Sequence, residues 1–221
     1  MFKNFRITTI HNNIDCNKEF IPVEKIIARN ILGLPNNRKI ILTGAVNLNS
    51  FYKGFNKYLE ALKSIPDKSK YFLLFFGKLD RNLVDSLGFK YKNFGYLNDS
   101  LSLRVAYSSA DVFICSSIME AFGKTIAEAM ACGPPVVAFN VTGPKDIIDH
   151  KINGYLAEPF NTSDLAKGIE WVLDDENRLR VLGQNAREKV MRYFDVNIIA
   201  RKYIDLYEEI LNKKNRLFSM E

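Results

Sequence analysis

The sequence predicts an α/β fold, a Rossmann-like parallel sheet with helices on both faces. Apolar segments of strand length alternate with amphipathic segments of helical period along almost the whole chain. Several strand candidates, such as Val112–Cys115 and Val136–Phe139, are apolar at every position, as is typical of strands buried on both faces. The 221 residues are 47% hydrophobic and 25% charged, without a linker or repeat, so a single globular domain is expected.

The first half of the chain contains four predicted strand–helix pairs. The strands are Ile7–Ile10, Lys39–Ala45, Tyr71–Phe76 and Asn93–Phe94, and the helices are Val23–Leu32, Gly54–Ser64, Arg81–Leu87 and Ser100–Ser108. Asp99 or Ser100 is suited to cap the last of these helices, because a short side-chain oxygen can accept a hydrogen bond from the first helical turn.

The second half continues the alternation with strands Val112–Cys115, Val136–Phe139 and Tyr155–Ala157 and helices Gly123–Cys132 and Ser163–Leu173. In the helix Gly123–Cys132, apolar residues recur at i, i+4, i+7 and i+8 from Phe122, which defines one buried face. Gly133 is expected to end this helix, and the two prolines that follow prevent its continuation. Thr162 or Ser163 is suited to cap the next helix.

Two more helices are predicted near the end, at about Glu176–Tyr193 and Val196–Lys213. The last one carries a long apolar stripe that requires a packing partner. Its residues are Ile198, Ile199, Tyr203, Leu206, Tyr207 and Ile210.

Net charge is +6, and much of the excess lies near the end, in Arg187, Lys189, Arg192, Lys213, Lys214 and Arg216. Aromatic residues are not interleaved with these cations, so nucleic-acid binding is not expected. Solvated helix faces explain the charge most simply, with weak attraction to an anionic membrane surface as the alternative.

The three cysteines, Cys16, Cys115 and Cys132, are widely spaced, which indicates neither a disulfide framework nor a zinc site. The first residues, Met1–Arg6, lack the apolar core of a secretion signal, and no apolar run is long enough to span a membrane. A cytoplasmic location is therefore expected.

Glu120 and Glu128 flank the predicted start of the helix that follows strand Val112–Cys115. The free N–H groups of a helix start can receive an anion, and eight residues of helix span about 12 Å. A ligand that touches both carboxylates must therefore be long, with phosphates between them, and a nucleotide sugar fits. The alternative is that Glu120 is a first-turn helix charge and Glu128 a solvated surface residue.

A second candidate site is the loop from Gly44 to Gly54, which follows the strand Lys39–Ala45. Small residues at a strand end, then Lys53, then a glycine that opens a helix, suit diphosphate binding by backbone groups and an ammonium. The loop contains neither the P-loop pattern nor the dinucleotide-binding glycine pattern, which disfavours ATPase and dinucleotide functions.

Three groups of motifs resemble the retaining glycosyltransferases of family four. They are Ser116–Gly123 with Glu128–Ala138, His11–Asp15 with Phe20–Pro22, and Asn153–Leu156 with Pro159. Enzymes of this family have the GT-B architecture, in which two Rossmann-like domains face each other across a cleft. The resemblance extends from about Thr9 to about Tyr207 and implies the C-terminal, donor-binding domain.

The resemblance implies that Glu120 contacts the donor sugar hydroxyls and positions the ring at the catalytic centre, while Glu128 binds the ribose. The full set of implied donor-binding residues is Gly44, Asn47, Lys53, Phe94, Tyr96, Glu120, Ala121, Phe122, Gly123, Lys124, Thr125 and Glu128. The family usually has an arginine a few residues before the Lys-Gly pair. Here Ala45 or Asn47 takes its place. The donor is expected to be a UDP-, GDP- or other nucleoside diphosphate sugar, with no metal and no other cofactor.

The segment 142–144 replaces a pair of glycines in the family, and its role stays open at this point. The two histidines, His11 and His150, lie outside the site motifs, and no catalytic role is predicted for them.

The expected organisation is a nucleotide-sugar-binding domain at residues 1–195, followed by a helix and tail at 196–221. In the resembled family this helix packs on an N-terminal acceptor domain, which this sequence lacks. We therefore expect an excised half of a larger enzyme, or a partner chain that supplies the missing surface. The full enzyme would transfer sugar to a polysaccharide or glycolipid acceptor, with possible association with the inner face of a membrane.

Two other functions remain alternatives. One is a non-catalytic nucleotide-sugar-binding or partner-binding module with the same fold. The other is a sugar-nucleotide epimerase, which would require a different set of acid and base residues.

Overall fold

The computed structural model describes residues 7–218, and their side chains as far as Asn212. These residues form one six-stranded sheet. The strands are β1 (Lys39–Asn47), β2 (Tyr71–Lys78), β3 (Lys90–Asn93), β4 (Val112–Cys115), β5 (Val136–Phe139) and β6 (Gly154–Ala157). Every pair of neighbouring strands is parallel. The predicted fold class is therefore confirmed.

Within residues 7–218, one helix precedes the first strand, others connect the strands, and three follow the last strand. They are α1 (Lys25–Leu32), α2 (Phe55–Lys63), α3 (Arg81–Asp85), α4 (Ser100–Ser109), α5 (Lys124–Ala131), α6 (Pro144–Ile147), α7 (Thr162–Leu173), α8 (Glu176–Tyr193) and α9 (Val196–Phe218). A 3₁₀ turn, Phe51–Lys53, precedes α2. The cap of α4 is Asp99, one of the two predicted residues, whereas α7 is capped by Asn161 and begins at Thr162.

The strand order is β3-β2-β1-β4-β5-β6. β2 and then β3 are added on one side of β1. The chain then crosses to the other side of β1, where β4, β5 and β6 follow in order. In open parallel sheets, ligands bind at the carboxyl edge where the strand order reverses in this way. The loops after β1 and β4 meet at that edge.

Side chains from alternate positions of the strands form two hydrophobic cores, one on each face of the sheet. In β1, Ile41 faces the core formed with α2, α3 and α7, while Ile40 and Leu42 face the core formed with α4, α5 and the end of α8. Because both faces are covered, the apolar runs of the inner strands are fully buried.

The buried carboxylate of Asp111 joins β4 to β1 at their amino ends. The Asp111 N–H donates to the Ile40 carbonyl at 2.9 Å, and its carboxylate accepts from the Ile40 N–H at 2.7 Å. The same carboxylate forms ion pairs with Lys25 at 2.8 Å and with the buried Arg29 at 2.5 Å, which holds α1 against the sheet. Burial raises the pKa of Asp111, but the two cations lower it more, so the net shift is downward.

The predicted strand Ile7–Ile10 is wrong. These residues have no regular structure, and Ile7 is 75% exposed. β-Branched residues favour a strand only where a neighbouring strand can pair with them. The entering chain instead makes one isolated bridge, between Ile14 and Asp195.

The third strand lies earlier than predicted. It occupies Lys90–Asn93, and Phe94 follows its end. β3 is an edge strand in which polar residues predominate, so its sequence gives no apolar run. The short helix α6 was not predicted, because four residues are too few to show a helical period.

Helix α9 begins where predicted, and only part of its apolar stripe is covered. Ile199 is 1% exposed, whereas Tyr203, Tyr207 and Ile210 are at least 42% exposed. The packing of α9 on an acceptor domain stays a prediction. The basic side chains from Lys213 onward lie outside the described residues. None of the helices between residues 7 and 218 is long and apolar enough to cross a membrane.

We predict that Asp111→Asn lowers the free energy of unfolding by about 3–5 kcal/mol, because it leaves Arg29 buried without its counterion. Urea denaturation at neutral pH measures the loss. Asp205→Asn is the control, since Asp205 is 62% exposed in an ion pair with Arg201, and it should change stability by less than about 0.5 kcal/mol.

The same interaction predicts a pH dependence. Because the pKa of Asp111 is lower in the folded state, its stabilisation is present above the unfolded value of about 3.9 and is lost as pH falls through the folded value. The stability difference between wild type and Asp111→Asn should therefore shrink as the solution is acidified below pH ~4. A difference that stays constant across this range would contradict the assignment.

Candidate functional site

Two loops form the candidate site at the reversal of strand order: residues 48–54 after β1 and residues 116–123 after β4. The Ile118 N–H donates to the Tyr52 carbonyl at 2.8 Å, and the Ser116 hydroxyl donates to the Lys53 carbonyl at 2.9 Å. Gly54 has φ +60°, and a Cβ there would lie 2.1 Å from the Ser116 carbonyl oxygen. Glycine is thus required for the two loops to approach each other this closely.

Lys53 and Glu120 form an ion pair at the centre of the site. Their charged atoms lie 2.8 Å apart, and their side chains are 33% and 18% exposed. The Ser117 hydroxyl also lies 3.3 Å from the same Glu120 oxygen. The structure therefore brings together Lys53 and the catalytic candidate Glu120, which come from separate sequence motifs. It also explains why a lysine is tolerated just before the start of α2, where the helix dipole opposes a cation.

The backbone N–H groups of Ala121 to Thr125 follow Glu120 in the chain and lead into α5, and we refer to them as the nest. Gly123 has φ +95° and precedes the first residue of α5. Among the described residues, none of these five N–H groups donates a hydrogen bond to a protein acceptor. Unpaired N–H groups at a helix start carry partial positive charge and bind anions. This nest can accept a phosphate.

The loop between β5 and α6 fixes the position of Glu120. The Gly143 N–H and the Thr142 hydroxyl both donate to the Glu120 carbonyl, at 2.8 and 2.6 Å. A Cβ at Gly143 would lie 2.5 Å from the Phe122 carbonyl oxygen, so the loop packs directly on the nest. This is the structural role of a segment whose function the sequence left open.

Glu128 lies in the body of α5 and is only 5% exposed. The fully buried Tyr107 donates its hydroxyl to one Glu128 oxygen at 2.9 Å, and Lys124 approaches the other oxygen at 3.6 Å. Burial raises the pKa of Glu128, while the Tyr107 hydrogen bond and Lys124 oppose that shift. The alternative that Glu128 is a solvated surface residue is therefore wrong.

Gly44 and Asn47, the predicted donor-binding residues of β1, differ in their surroundings. Gly44 lines a small cavity together with Lys53, Ser117 and Thr125. A Cβ at Gly44 would overlap the Phe76 ring, so this glycine is also needed for packing. Asn47 is exposed, and its side-chain oxygen accepts from the Asn49 N–H at 3.1 Å. The side chain of Asn47, one of the two residues that could stand where the family usually has an arginine, thus stabilises a turn.

Phe94 and Tyr96 follow β3 at the same edge of the sheet. Phe94 is half-buried beneath the Lys92 ammonium, which lies 4.9 Å from the ring centroid, and Tyr96 is 62% exposed. The Gly95 carbonyl accepts from the Gly77 N–H, which ties this loop to the end of β2. The base-binding role of the two aromatic residues stays a prediction.

Two residues near the site were missed by sequence reasoning, Tyr107 and His11. Tyr107 lies within a helix pattern that only indicated packing. His11 stacks against Phe122, with ring centroids 5.8 Å apart, and also contacts Phe194. His11 begins the motif His11–Asp15, which gave it no role in the site, and Tyr107 lies in no motif. Among the described residues, no group of three His, Cys, Asp or Glu side chains could hold a metal ion.

Residues 24–189 match the model of the family described as glycosyl transferases group 1. The chain belongs to this family. Sucrose-phosphate synthase from Thermosynechococcus elongatus superposes with a TM-score of 0.81 at 31% identity, covering 92% of this chain and 52% of that one. The HepE protein of Anabaena, solved with UDP-glucose, gives a TM-score of 0.75 at 25% identity, covering 90% and 57%.

A third structure has the same fold over almost its whole length. It is the C-terminal domain of a group 1 glycosyl transferase from Francisella tularensis, with a TM-score of 0.71 at 21% identity, covering 83% of this chain and 99% of that one. This chain spans about half the length of the curated relatives it matches. The resemblance to the C-terminal half of a GT-B glycosyltransferase is thereby confirmed.

We predict that two identical substitutions of buried tyrosines have different effects on stability. Tyr107→Phe removes a hydrogen bond to a carboxylate and should cost about 1.5–3 kcal/mol. Tyr58→Phe is the matched control, because Tyr58 is equally buried but its hydroxyl has no hydrogen-bond partner among the described residues. It should leave the free energy of unfolding unchanged or higher. If urea denaturation showed the same loss in free energy of unfolding for both variants, the role given to Tyr107 would be contradicted.

Proposed function

We propose that this chain is the donor-binding domain of a retaining glycosyltransferase and binds a nucleoside diphosphate sugar. The observation that carries the proposal is the ion pair of the Lys53 ammonium with Glu120, the residue directly before the five unpaired N–H groups that lead into α5. A diphosphate needs this combination of a cation and oriented N–H donors. The likeness to HepE, whose structure contains UDP-glucose, supports the same ligand class here.

In this proposal the diphosphate exchanges partners with Glu120. Without an anion, Lys53 pairs with the Glu120 carboxylate. A bound diphosphate carries more negative charge and also reaches the N–H groups of Ala121–Thr125, so it competes for the ammonium. Once released, the Glu120 carboxylate can accept hydrogen bonds from the sugar hydroxyls and orient the ring.

Glu128 would bind the ribose. Because the Tyr107 hydroxyl holds one carboxylate oxygen, the other oxygen is left in a fixed position to accept from ribose hydroxyls. Lys124, 3.6 Å from that oxygen, helps to keep the carboxylate ionised.

The chemistry required of the donor site is the stabilisation of leaving-group charge. In sugar transfer, the bond between the anomeric carbon and the phosphate oxygen breaks, and its electron pair stays on the diphosphate. Lys53 and the N–H groups are placed to stabilise this developing charge, as preorganised donors do in other enzymes. The oxygen of the acceptor hydroxyl forms the new bond to the anomeric carbon, and its proton passes to the departing diphosphate oxygen. We infer a saccharide or glycolipid as the acceptor.

The second candidate function is a non-catalytic nucleotide-sugar-binding module. The lack of the family's usual arginine favours it, because neither Ala45 nor Asn47, the two residues that could take its place, is charged, and half of the usual cationic clamp is therefore missing.

We predict that UDP or GDP binds this chain and raises its melting temperature. Lys53→Ala should weaken binding by about 1.5–3 kcal/mol, roughly ten- to a hundredfold, because it removes a charged hydrogen-bond donor. Titration calorimetry measures the affinity, and Lys167→Ala, an exposed lysine on α7, is the control that should bind like wild type. If no nucleoside diphosphate bound at millimolar concentration, the donor-site assignment would be wrong.

We predict that the two glutamates act on different parts of the donor. Glu128→Ala should weaken UDP and UDP-sugar alike, because both contain the ribose. Glu120→Ala should leave UDP binding unchanged or tighter, since Lys53 loses a competing partner, and should reduce only the extra affinity of the sugar. Titration of both ligands into both variants tests this division, and equal losses in every combination would refute it.

A further inference from the structure

A groove with both polar and apolar lining residues lies beside α2 at the carboxyl edge of the sheet. We refer to it as the α2 groove, and its lining includes Asn49, Phe51, Asn56, Glu60 and Asp80. Its volume of about 530 Å³ lies within the range of about 300–1,000 Å³ that small-molecule sites occupy. Asn56, Glu60 and Asp80 lie outside the donor site described above, whereas Asn49 and Phe51 belong to its loop at residues 48–54.

The α2 groove adjoins the donor site across the turn at residues 51–54. Phe51 and Gly54 line the groove, while Lys53, in the same turn, faces Glu120. Ile118, which lines the groove as well, is hydrogen-bonded to Tyr52 and thereby links the groove to the loop of Glu120. A ligand in the groove would therefore lie close to a sugar held at Glu120.

The groove offers an aromatic surface and free hydrogen-bonding groups. Phe51 is 77% exposed, although the turn that carries it is ordered by backbone hydrogen bonds. Asn56 and Glu60 lie one turn apart on α2, so their side chains are neighbours. In the part of the chain that the structure describes, neither side chain has a hydrogen-bond or ion-pair partner.

These groups select one class of ligand. The groove is lined by one cation, Lys57, and two carboxylates, Glu60 and Asp80. Because the two carboxylates repel an anion, the groove suits a neutral molecule better than nucleic acid or an anionic lipid. The carboxylate and amide can bind neighbouring hydroxyl groups, and the aromatic ring can cover an apolar C–H face. A sugar ring has both features.

We propose that the α2 groove binds a saccharide unit of the acceptor glycan, stacked on Phe51 and hydrogen-bonded to Asn56 and Glu60. This inference rests on the proposed function, which supplies the need for an acceptor. The groove would hold the acceptor chain beside the donor sugar, so that part of acceptor recognition resides in the donor-binding domain.

The test is retention of the labelled full chain on a microarray of oligosaccharides, followed by calorimetric titration of a retained glycan. Phe51→Ala should reduce glycan affinity by at least about tenfold, and Asn56→Ala and Glu60→Ala should also reduce it. The control is Tyr207→Ala on α9, which removes an aromatic residue that is 59% exposed and does not line the groove, and it should bind glycan like wild type.

UDP binding is measured in parallel and separates this inference from the proposed function. In Asn56→Ala and Glu60→Ala, whose positions on α2 lie outside the donor-site loops, UDP affinity should stay as in wild type, which also shows that these variants are folded. UDP binding without retention of any glycan, or with glycan affinity equal in wild type and all three groove variants, would overturn the α2 groove proposal alone. If wild type did not bind UDP, the donor-site assignment would be wrong instead.

Discussion

The position of β4 beside β1 is the constraint on which the rest of the structure depends, and the Asp111 carboxylate holds it. The ladder between these strands is short, with Ile41 opposite Val112 and Leu42 opposite Phe113. Asp111 extends it at the amino end through two hydrogen bonds to Ile40, and its ion pairs with Lys25 and Arg29 attach α1. A buried carboxylate is tolerated there because cations and N–H donors surround it.

This adjacency creates the site at the opposite edge. Since the strands are parallel, the loops that follow β1 and β4 emerge side by side, and Gly54 lets them approach to hydrogen-bonding distance. Lys53 from one loop then meets Glu120 from the other, next to the N–H groups before α5. The cation, the carboxylate and the backbone proposed to bind the diphosphate thus all follow from one reversal of strand order.

The two glutamates, similar in the sequence, have distinct environments. Glu120 is partly exposed in an exchangeable ion pair, and its backbone is held by Thr142 and Gly143. Glu128 is buried, with one oxygen held by a tyrosine within the hydrophobic core. The first environment permits a side chain to change partners on ligand binding, and the second keeps a side chain in one orientation. This difference is the physical basis of the separate roles proposed for them.

The sequence by itself determined the alternation of strands and helices, the unit of β4, α5 and β5, and the family motifs around Glu120 and Glu128. These features depend on local signals: buried runs, helical period, and glycine and proline stops. The false strand Ile7–Ile10 and the polar strand β3 show where such signals fail, because pairing depends on which neighbour is available. Only the tertiary structure decided that Lys53 meets Glu120, 67 residues away, and that Tyr107 holds Glu128. Those contacts follow from strand order, and an apolar pattern cannot encode strand order, since every inner strand of a parallel sheet is buried in the same way.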